Sequence, residues 1–360
     1  MNKSRLNSLY SVMKEKKAPL LIISKPENIR YLSGFTGMDA LLVVTEQEKF
    51  LVTDQRYTEQ ASTEAPLYKI VKQEDGLWKK TIEVLTKLLK QLNTKKIAFE
   101  GKYISYSVYA LLWETFKGAE FINLSLDSLR EVKDEEEISC IKKACAIADL
   151  AFDEVLKYLR PGLKEYEVAA FLENVMRKNG SERPAFDTIV ASGIRGSLPH
   201  GIATEKLIIS GEFVTMDFGA VHNGYSSDIT RTVAVGAVDD EMRQVYETVL
   251  KAQMTALPYI KTGESGKKPN EIAKKTLGEY DKYFLHSLGH GVGLEIHENP
   301  RLSKTSECAA LQQNMIVTDE PGIYIEGRFG VRIEDTVLVT DKGGEPLTKS
   351  DKSLIEILEV

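Results

Sequence analysis

The sequence predicts an α+β protein with two domains, a small α/β domain followed by a larger one built around paired strands. Helical and strand-like runs alternate up to about residue 125, as expected of an α/β unit. From Asp134 onward, acids crowd the first turn of a long helical pattern, which begins a second region. A chain of 360 residues is long for one core and sufficient for two. We therefore expect domains at residues 1–125 and 126–360.

Individual elements follow from hydrophobic periodicity and turn residues. In the first domain they are helices at 2–16 and 81–92 and strands at 20–24, 40–45, 49–53 and 96–100. In the second domain they are helices at 134–160, 164–179, 241–257 and 270–280. The first domain has neither a phosphate-binding loop nor a nucleophile elbow, whereas all five histidines lie in the second half of the chain. We therefore expect any chemistry in the second domain.

Composition excludes several classes of partner. The formal net charge of -6 argues against nucleic acid or an anionic membrane as the main partner, because both require a clustered basic surface. The amino-terminal segment has no apolar run of signal-peptide length, and no stretch approaches a membrane span, so we expect a cytoplasmic protein. Cys140, Cys145 and Cys308 lack metal-type spacing and are expected to be buried thiols.

Two acids lie within strand-like residues 214–236, which read VTMDFGAVHNGYSSDITRTVAVG. Side chains alternate in the first run, so Asp217 faces away from its apolar neighbours. Asp228 opens a second run rich in β-branched residues, and Asn223-Gly224 between the runs predicts a tight hairpin. Two carboxylates that face each other across one ribbon repel, and a cation between them would remove that conflict.

A second stretch, residues 317–340, repeats this pattern. VTMDFG at 214–219 matches VTDEPG at 317–322, and DIT at 228–230 matches EDT at 334–336. The repeat predicts two halves related by a rough twofold, each contributing two acids from a hairpin. The four acids are Asp217, Asp228, Glu320 and Glu334. Two divalent ions would balance their charge better than one.

An imidazole ligand is expected from HSLGHGVGLEIHENP, residues 286–300. Its glycines disfavour a helix, so we predict a glycine-rich turn whose histidines reach a common site. Oxygen ligands with a minority of imidazole favour manganese, iron, cobalt or zinc over a thiolate-type site.

These motifs resemble those of the metallopeptidases with the pita-bread fold, in the proline-directed branch that contains prolidase and aminopeptidase P. The likeness rests on DFG…SDITRT, PHG at 199–201, the histidine segment, EPGIY at 320–324 and VRIED at 331–335. Residues 28–44 and 53–61 are similar to the creatinase-type amino-terminal domain of that branch. The resemblance spans nearly the whole chain. It implies a homodimer that hydrolyses Xaa-Pro bonds.

The resemblance also implies a metal centre of two divalent ions, for which manganese is expected and cobalt, iron or zinc are alternatives. Its five ligands would be Asp217, Asp228, His290, Glu320 and Glu334. Glu320 would also take the proton of the attacking water. His200 and His297 would handle the substrate and the leaving group, and His286 and Arg332 would lie beside the metals.

Two further residues are expected to have no direct part in catalysis. His222 matches no catalytic position and lies by the predicted hairpin turn, so we expect it at the surface. Asp319 stands directly before Glu320, where the family commonly has an apolar residue or threonine. Strand alternation should turn Asp319 away from the metals, and we expect an outer-layer or ion-paired role.

Several functions are compatible with this pattern. Within the branch, the chain resembles a dipeptidase (prolidase) more than an aminopeptidase P acting on longer Xaa-Pro peptides. Some proteins of this fold are binding modules without catalysis, but those usually lose metal ligands that this sequence retains. Creatinase-like amidine hydrolysis is disfavoured by the same ligands.

Overall fold

A computed structural model describes residues 3–74 and 76–358. The chain divides into two compact units, Met1–Arg130 and Glu131–Val360. Among the described residues, none of the helices combines the length and the apolar character that a membrane crossing requires.

The first unit is a six-stranded mixed sheet covered by helices. Its helices are α1 (Lys3–Glu15), α2 (Pro26–Ser33), α3 (Thr58–Glu64), α4 (Leu77–Gln91) and α5 (Tyr106–Thr115). Its strands are β1 (Leu21–Ile23), β2 (Ala40–Val44), β3 (Lys49–Asp54), β4 (Lys69–Gln73), β5 (Lys96–Phe99) and β6 (Glu120–Asn123). The strand order is β4-β3-β2-β1-β5-β6.

The strands and helices predicted for the first unit are all present, and Asn2, the predicted start of α1, lies outside the described residues. The helices α2, α3 and α5 and the edge strands β4 and β6 were not predicted. The apolar residues of α5 lie on all sides of the helix, since Tyr106 and Trp113 are exposed while Leu112 is buried. Such a helix lacks the one-sided periodicity on which prediction depends.

The second unit alternates helix pairs with sheets that are mainly antiparallel. Its helices are α6 (Glu135–Tyr158), α7 (Glu165–Lys178), α8 (Asp240–Ala256) and α9 (Lys268–Leu277). All four were predicted, within three residues at each end. Asp134 caps α6 and forms a capping box with Glu137, as the acids of the first turn indicated. Of the three free thiols, Cys145 is buried as expected, whereas Cys140 and Cys308 are only half-buried.

The strands of the second unit form two larger sheets and two short hairpin ends. They are β7 (Ile189–Ser192), β8 (Glu212–Phe218), β9 (Val221–His222), β10 (Tyr225–Ser226), β11 (Ile229–Val235), β12 (Gly289–Gly291), β13 (Glu298–Leu302), β14 (Ile316–Asp319), β15 (Gly322–Ile325), β16 (Phe329–Arg332), β17 (Asp335–Val339), β18 (Gly344–Pro346) and β19 (Glu356–Ile357). One sheet has the order β19-β11-β8-β7, and the other has the order β13-β12-β14-β17-β18.

The first predicted hairpin, hairpin A, comprises residues 212–235. Strand β8 pairs antiparallel with β11, and β9 and β10 continue the ribbon to its turn. Asn223 and Gly224 both have positive φ, 48° and 75°, as a tight two-residue hairpin turn requires. The ladder is interrupted at Gly219, where a Cβ would lie 2.0 Å from the carbonyl oxygen of Ser227. Glycine is therefore required at this interruption.

The second predicted hairpin, hairpin B, comprises residues 316–339. Strand β14 pairs with β17, and β15 pairs with β16 in the same register beyond a two-residue interruption. Both predicted hairpins are thus confirmed, and each ladder has an interruption that was not predicted.

Each hairpin packs most of its apolar residues on one helix pair. Helices α6 and α7 share a core with β8 and β11, and helices α8 and α9 share a second core with hairpin B, to which Phe213 and Ala234 of hairpin A also contribute. Each half of the unit therefore consists of two helices followed by a hairpin. This order agrees with the internal repeat seen in the sequence.

Candidate metal centre

The nine side chains predicted for the site line one cavity of about 430 Å³ in the second unit. They are Asp217, Asp228, His290, Glu320 and Glu334, with His200, His286, His297 and Arg332. They come from both hairpins, from the segment around β12 and from the loop that follows β7.

Three of these side chains form a compact group of donors. Asp228, His290 and Glu334 are buried, and one ligand atom of each lies within 4.8 Å of the other two. His290 lies in strand β12 and not in a turn as predicted, because the glycines on either side of it pair with β13 and β14. Its Nδ1 lies 3.1 Å from the carbonyl oxygen of Gly291, and this contact leaves Nε2 as the acceptor facing the carboxylates.

Glu320 adjoins this group. Its Oε1 lies 3.3 Å from His290 Nε2 and accepts a hydrogen bond of 2.9 Å from the hydroxyl of Thr318. Its Oε2 lies 3.8 Å from His286 Nδ1. Glu320 therefore lies between His290 and His286 and has one carboxylate oxygen without a short hydrogen bond.

Asp217 is held by an ion pair with a buried arginine. Arg332 Nη2 donates to Asp217 Oδ2 at 2.5 Å, while Asp217 Oδ1 is buried and has no hydrogen-bond partner in the described part of the chain. Three more donors of Arg332 are used, by the hydroxyl groups of Thr230 and Tyr324 and by the carbonyl oxygen of Pro199. An unpaired buried carboxylate oxygen is costly unless a cation or a donor satisfies it. The free Oδ1 therefore fits a metal ligand.

Hydrogen bonds between the hairpins hold the other two acids. The hydroxyl of Thr230 in hairpin A donates to Glu334 Oε2 at 2.6 Å, and the amide of Glu334 donates to the carbonyl oxygen of Thr230. The hydroxyl of Thr336 in hairpin B accepts from the amide of Asp228 and donates to its carbonyl oxygen. Glu334 of hairpin B is thus positioned by Thr230 of hairpin A, and Asp228 of hairpin A is positioned by Thr336 of hairpin B.

The carboxylates are electrostatically frustrated without a cation. Burial, with the charges of Asp217 and Glu320, raises the pKa of Asp228 well above its usual value. Burial, with the charges of Asp228 and Glu320, does the same to the pKa of Glu334. Burial raises the pKa of Glu320 to about 8, although Arg332 opposes that shift. Divalent ions would relieve this repulsion, so the donor set fits metal binding.

Buried His290 and half-buried His286 both have lowered pKa values, which favours their neutral forms at physiological pH. Burial, with the nearby charge of His297, lowers the pKa of His290 to about 3. Burial and the charge of Arg332 lower the pKa of His286 to about 4. The second ring nitrogen of His286 lies 2.8 Å from the hydroxyl of Tyr324, which also accepts from Arg332. His286, Tyr324, Arg332 and Asp217 therefore form one chain of hydrogen bonds beside the cavity.

Three functional candidates were missed in the sequence. Tyr324 lies four residues beyond Glu320 along hairpin B, so strand alternation could have assigned it to the same face. Thr230 lies two residues after Asp228, so the same alternation could have assigned it to the face of Asp228. Arg301 is an exposed residue of β13 that lines the cavity, and no local pattern distinguishes it from other surface arginines.

Two histidines lie at the open side of the cavity. His200 and His297 are exposed, and the ring of His297 meets that of His290 edge-on at 4.4 Å between centroids. Burial and the charge of Arg301 lower the pKa of His297. His222 lies outside the cavity lining and is half-buried in β9, whereas exposure was expected.

Asp319 differs from the expectation of an ion pair. It does not line the cavity and is fully buried on β14 opposite Asp335. Neither of its carboxylate oxygens has a hydrogen-bond partner among the described residues. Burial and the neighbouring charge of Asp335 raise its pKa well above the usual value. Arg231 and Lys352 pair with Asp335 instead, which leaves Asp319 without a direct cation.

Two family models match consecutive parts of the chain. The family model described as metallopeptidase family M24 matches residues 139–341, and the creatinase/prolidase N-terminal domain matches residues 5–132. The Xaa-Pro dipeptidase of Pyrococcus furiosus is 42% identical over 358 residues, which cover 98% of this chain and 100% of that protein.

Solved structures agree over the whole fold. The Xaa-Pro dipeptidase from Bacillus anthracis is 42% identical with a TM-score of 0.93, and the match covers 98% of this chain and 99% of that one. The X-Pro aminopeptidase from Thermotoga maritima is 40% identical with a TM-score of 0.86, covering 94% of this chain and 97% of that one.

These matches confirm the predicted fold class, a creatinase-type amino-terminal domain followed by a pita-bread catalytic domain. The buried carboxylates and the neutral imidazole that face one cavity are the donor set that such an enzyme requires. The chain therefore belongs to metallopeptidase family M24 and is a hydrolase that uses divalent metal ions.

Proposed function

We propose that this chain is an Xaa-Pro dipeptidase, a prolidase, with two divalent ions in its catalytic centre. The observation that carries the proposal is the convergence of four acids and the acceptor nitrogen of His290 in one cavity, beside three further histidines. The names of the relatives support the substrate class, since the proteins of Pyrococcus furiosus and Bacillus anthracis are both called Xaa-Pro dipeptidases.

The metal ligands in this proposal are Asp217, Asp228, His290, Glu320 and Glu334. Manganese is the first candidate, with cobalt, iron or zinc as alternatives, because oxygen donors outnumber the single imidazole. When bound, the ions would supply Lewis-acid chemistry and lower the pKa of a water molecule. The unpaired Oδ1 of Asp217 and the raised pKa values of Asp228 and Glu334 support this donor set.

The chain's own residues would then manage protons and orientation. Glu320 takes the proton of the attacking water on its Oε2, which has no short hydrogen bond, and passes it to the proline nitrogen. That nitrogen belongs to a tertiary amide and has no N–H, so an enzyme that reads an amide hydrogen there cannot use this bond. His297, at the exposed rim, orients the scissile carbonyl, and His200 contacts the pyrrolidine side.

Arg301 supports a dipeptide over a longer peptide as the substrate. Arg332 uses its guanidinium donors within the protein, whereas Arg301 lines the cavity with no ion pair or side-chain hydrogen bond among the described residues. The free carboxylate of the proline in an Xaa-Pro dipeptide could accept two parallel hydrogen bonds from this guanidinium. The alternative is an aminopeptidase P activity on longer peptides. The similar structure from Thermotoga maritima is named an X-Pro aminopeptidase, which supports this alternative.

The experiment measures turnover of Ala-Pro by the manganese-loaded protein and by its Glu320→Ala variant. We expect hydrolysis by the wild type, none by the variant, and reversible loss of activity on chelation. Turnover by the variant near the wild-type rate would refute the role of Glu320. Activity that persists with metal shown to be absent would refute the mechanism.

Substrate length is tested by comparing Ala-Pro with Ala-Pro-Ala. We expect the dipeptide to be preferred and the preference to shrink in Arg301→Gln, because the carboxylate loses its cation. Cleavage of the tripeptide at a comparable rate by the wild type would favour the aminopeptidase instead.

The domain assignment and the setting of the enzyme are part of the same proposal. Residues 1–125 would form the amino-terminal domain and residues 126–360 the catalytic domain, which the division of the chain at Arg130 and the two family matches support. We also propose a homodimer in the cytoplasm. Analytical ultracentrifugation tests the dimer.

A further inference from the structure

The loop after β7, residues 193–203, contributes two polar groups to the cavity. His200 lines the cavity, and the carbonyl oxygen of Pro199 accepts a hydrogen bond of 3.2 Å from Arg332 Nη1. Arg332 in turn holds Asp217. The position of this loop therefore affects both a substrate-handling histidine and the arginine beside the metal ligands.

One buried carboxylate outside the cavity joins the two ends of this loop. Glu165, the first residue of α7, is 0% exposed. Its Oε1 accepts from the amide and the hydroxyl of Ser192, each at 2.8 Å. Its Oε2 accepts from the amide of Thr204 at 3.1 Å and from the hydroxyl of Thr204 at 2.7 Å. Ser192 directly precedes the loop and Thr204 directly follows it, so a single side chain closes the loop.

Arg195 adds a charged contact from within the loop. Its Nη1 donates to Glu165 Oε2, and its Nη2 donates to the carbonyl oxygen of Ile202 at 2.7 Å. Glu165 and Arg195 thus connect the first half of the loop to the second half, on either side of His200. Charge-assisted hydrogen bonds of this kind are shorter and stronger than neutral ones.

Ordinary helix capping does not account for Glu165. An acid in the first turn of a helix commonly interacts with the free amides of that helix. All five donors to the Glu165 carboxylate come from Ser192, Arg195 and Thr204 instead. Glu167 forms the capping contact of α7, since its side chain accepts from the amide of Lys164. The helix start therefore serves as a fixed base for the loop.

The geometry points to Glu165 as a positioning residue that holds His200 and the Pro199 carbonyl at the catalytic cavity through the loop at residues 193–203. A buried carboxylate is tolerated only while its donors are in place, so loss of the charge should release both ends of the loop together. The consequence for catalysis rests on the proposed function, whereas the consequence for loop order does not.

The test compares wild type, Glu165→Gln, His200→Ala and the double variant, all loaded with manganese. Glutamine keeps the shape but turns an NH₂ group toward donors. We expect kcat/KM for Ala-Pro to fall about tenfold or more in Glu165→Gln, within the range of one proton-handling group. In the His200→Ala background the same change should cost clearly less than in the wild type, because one of the two groups that Glu165 positions is already gone.

Hydrogen exchange supplies a readout that does not depend on activity. We expect faster amide exchange across residues 193–203 in Glu165→Gln, with the β8 and β11 amides unchanged. The matched control is Asp239→Ala, which removes the cap of α8 by deleting its contact with the amide of Met242 and touches no residue of the loop. That variant should leave loop exchange and kcat/KM at wild-type values.

Three results would overturn the inference: unchanged loop exchange in Glu165→Gln, faster exchange with unchanged kcat/KM, or effects of Glu165→Gln and His200→Ala that multiply independently. If wild type does not hydrolyse Ala-Pro, the proposed function fails, and loop exchange alone decides the positioning role. If Glu165→Gln does not fold, Thr204→Val removes one hydroxyl donor with little change of shape. It should accelerate loop exchange and lower kcat/KM in the same direction, and wild-type values for both would overturn the inference.

Discussion

Hairpins A and B carry acids at matching places in a repeated sequence but present them differently. In hairpin B, Glu320 and Glu334 lie opposite each other in the interruption between the paired segments. In hairpin A, Asp217 pairs with Thr230, so it lies diagonally to Asp228 and not opposite it as predicted. The offset places Thr230 opposite Asp217, and Arg332 from hairpin B contacts both side chains. A sequence repeat therefore produced an asymmetric site.

The faces turned away from the cavity differ more strongly. The residues of hairpin A that match Asp319 and Asp335 in the repeat are Met216 and Ile229, and both are fully buried in an apolar core. Hairpin B buries two acids at those positions. Asp335 is satisfied by Arg231, Lys352, Gln253 and Thr348, whereas Asp319 is not. The repeat is thus retained where it faces the cavity and has diverged behind it.

The largest effect should come from removing one acid of either hairpin. Asp228→Asn and Glu334→Gln keep shape but remove charge from the compact donor group. Loss of an outer partner alone costs about 10- to 100-fold in metal affinity or activity, so loss of a ligand should exceed about 100-fold in kcat/KM. Bound-metal analysis and Ala-Pro turnover measure this. Full metal content in only one of the two variants would show that the hairpins do not contribute equally.

The next effect concerns the arginine that links the hairpins. Arg332→Lys cannot reproduce four hydrogen-bonded contacts, so we expect kcat/KM to fall by about 10- to 100-fold. Arg328→Lys is the matched control in the same hairpin, because its ion pair with Glu241 is exposed. The control should retain activity and change the free energy of unfolding by less than about 0.5 kcal/mol. Equal losses in both variants would contradict a specific link.

The free energy of unfolding of the metal-free protein should fall as pH rises from about 6.5 to about 8. Glu320 has its pKa raised from 4.5 to about 8, so the folded state binds more protons than the unfolded chain in this range. The lowered pKa values of His286 and His290 act in the opposite sense, but only below about 6.5. Urea unfolding at several pH values measures the slope.

Manganese should reverse that slope, because the ligands bind metal in their deprotonated forms. A metal-free protein that becomes more stable toward pH 8 would contradict the electrostatic frustration of the four acids.

The smallest effect should appear behind hairpin B. Asp319→Val replaces an unsatisfied buried carboxylate by an apolar side chain, as at the matching position of hairpin A, and should raise the free energy of unfolding by about 1–3 kcal/mol. The comparison variant Asp335→Val should be destabilising, because it leaves Arg231 and Lys352 without their partner. Chemical denaturation measures both. Destabilisation by Asp319→Val would show that Asp319 has a stabilising contact.

Local sequence patterns were sufficient to predict much of the fold and many of the side chains that line the cavity. Strand alternation and Asn223-Gly224 were enough to predict hairpin A, and acids in the first turn were enough to start α6 at Asp134. The turn predicted around His290 was wrong, because the residues that pair with it as strand β12 lie elsewhere in the chain, in β13 and β14. Arg301 and Glu165 were missed for the same reason, since their roles depend on distant segments.

By itself, the sequence determined most of the acids and histidines that line the cavity. Acids placed at period two in apolar strands, repeated after about a hundred residues, require a cation wherever the strands meet, because buried like charges repel. Only the tertiary structure decided how they meet. The ion pair of Arg332 with Asp217 and the five hydrogen bonds to Glu165 join segments far apart in the chain. Their geometry depends on the packing of whole elements, which no local pattern encodes.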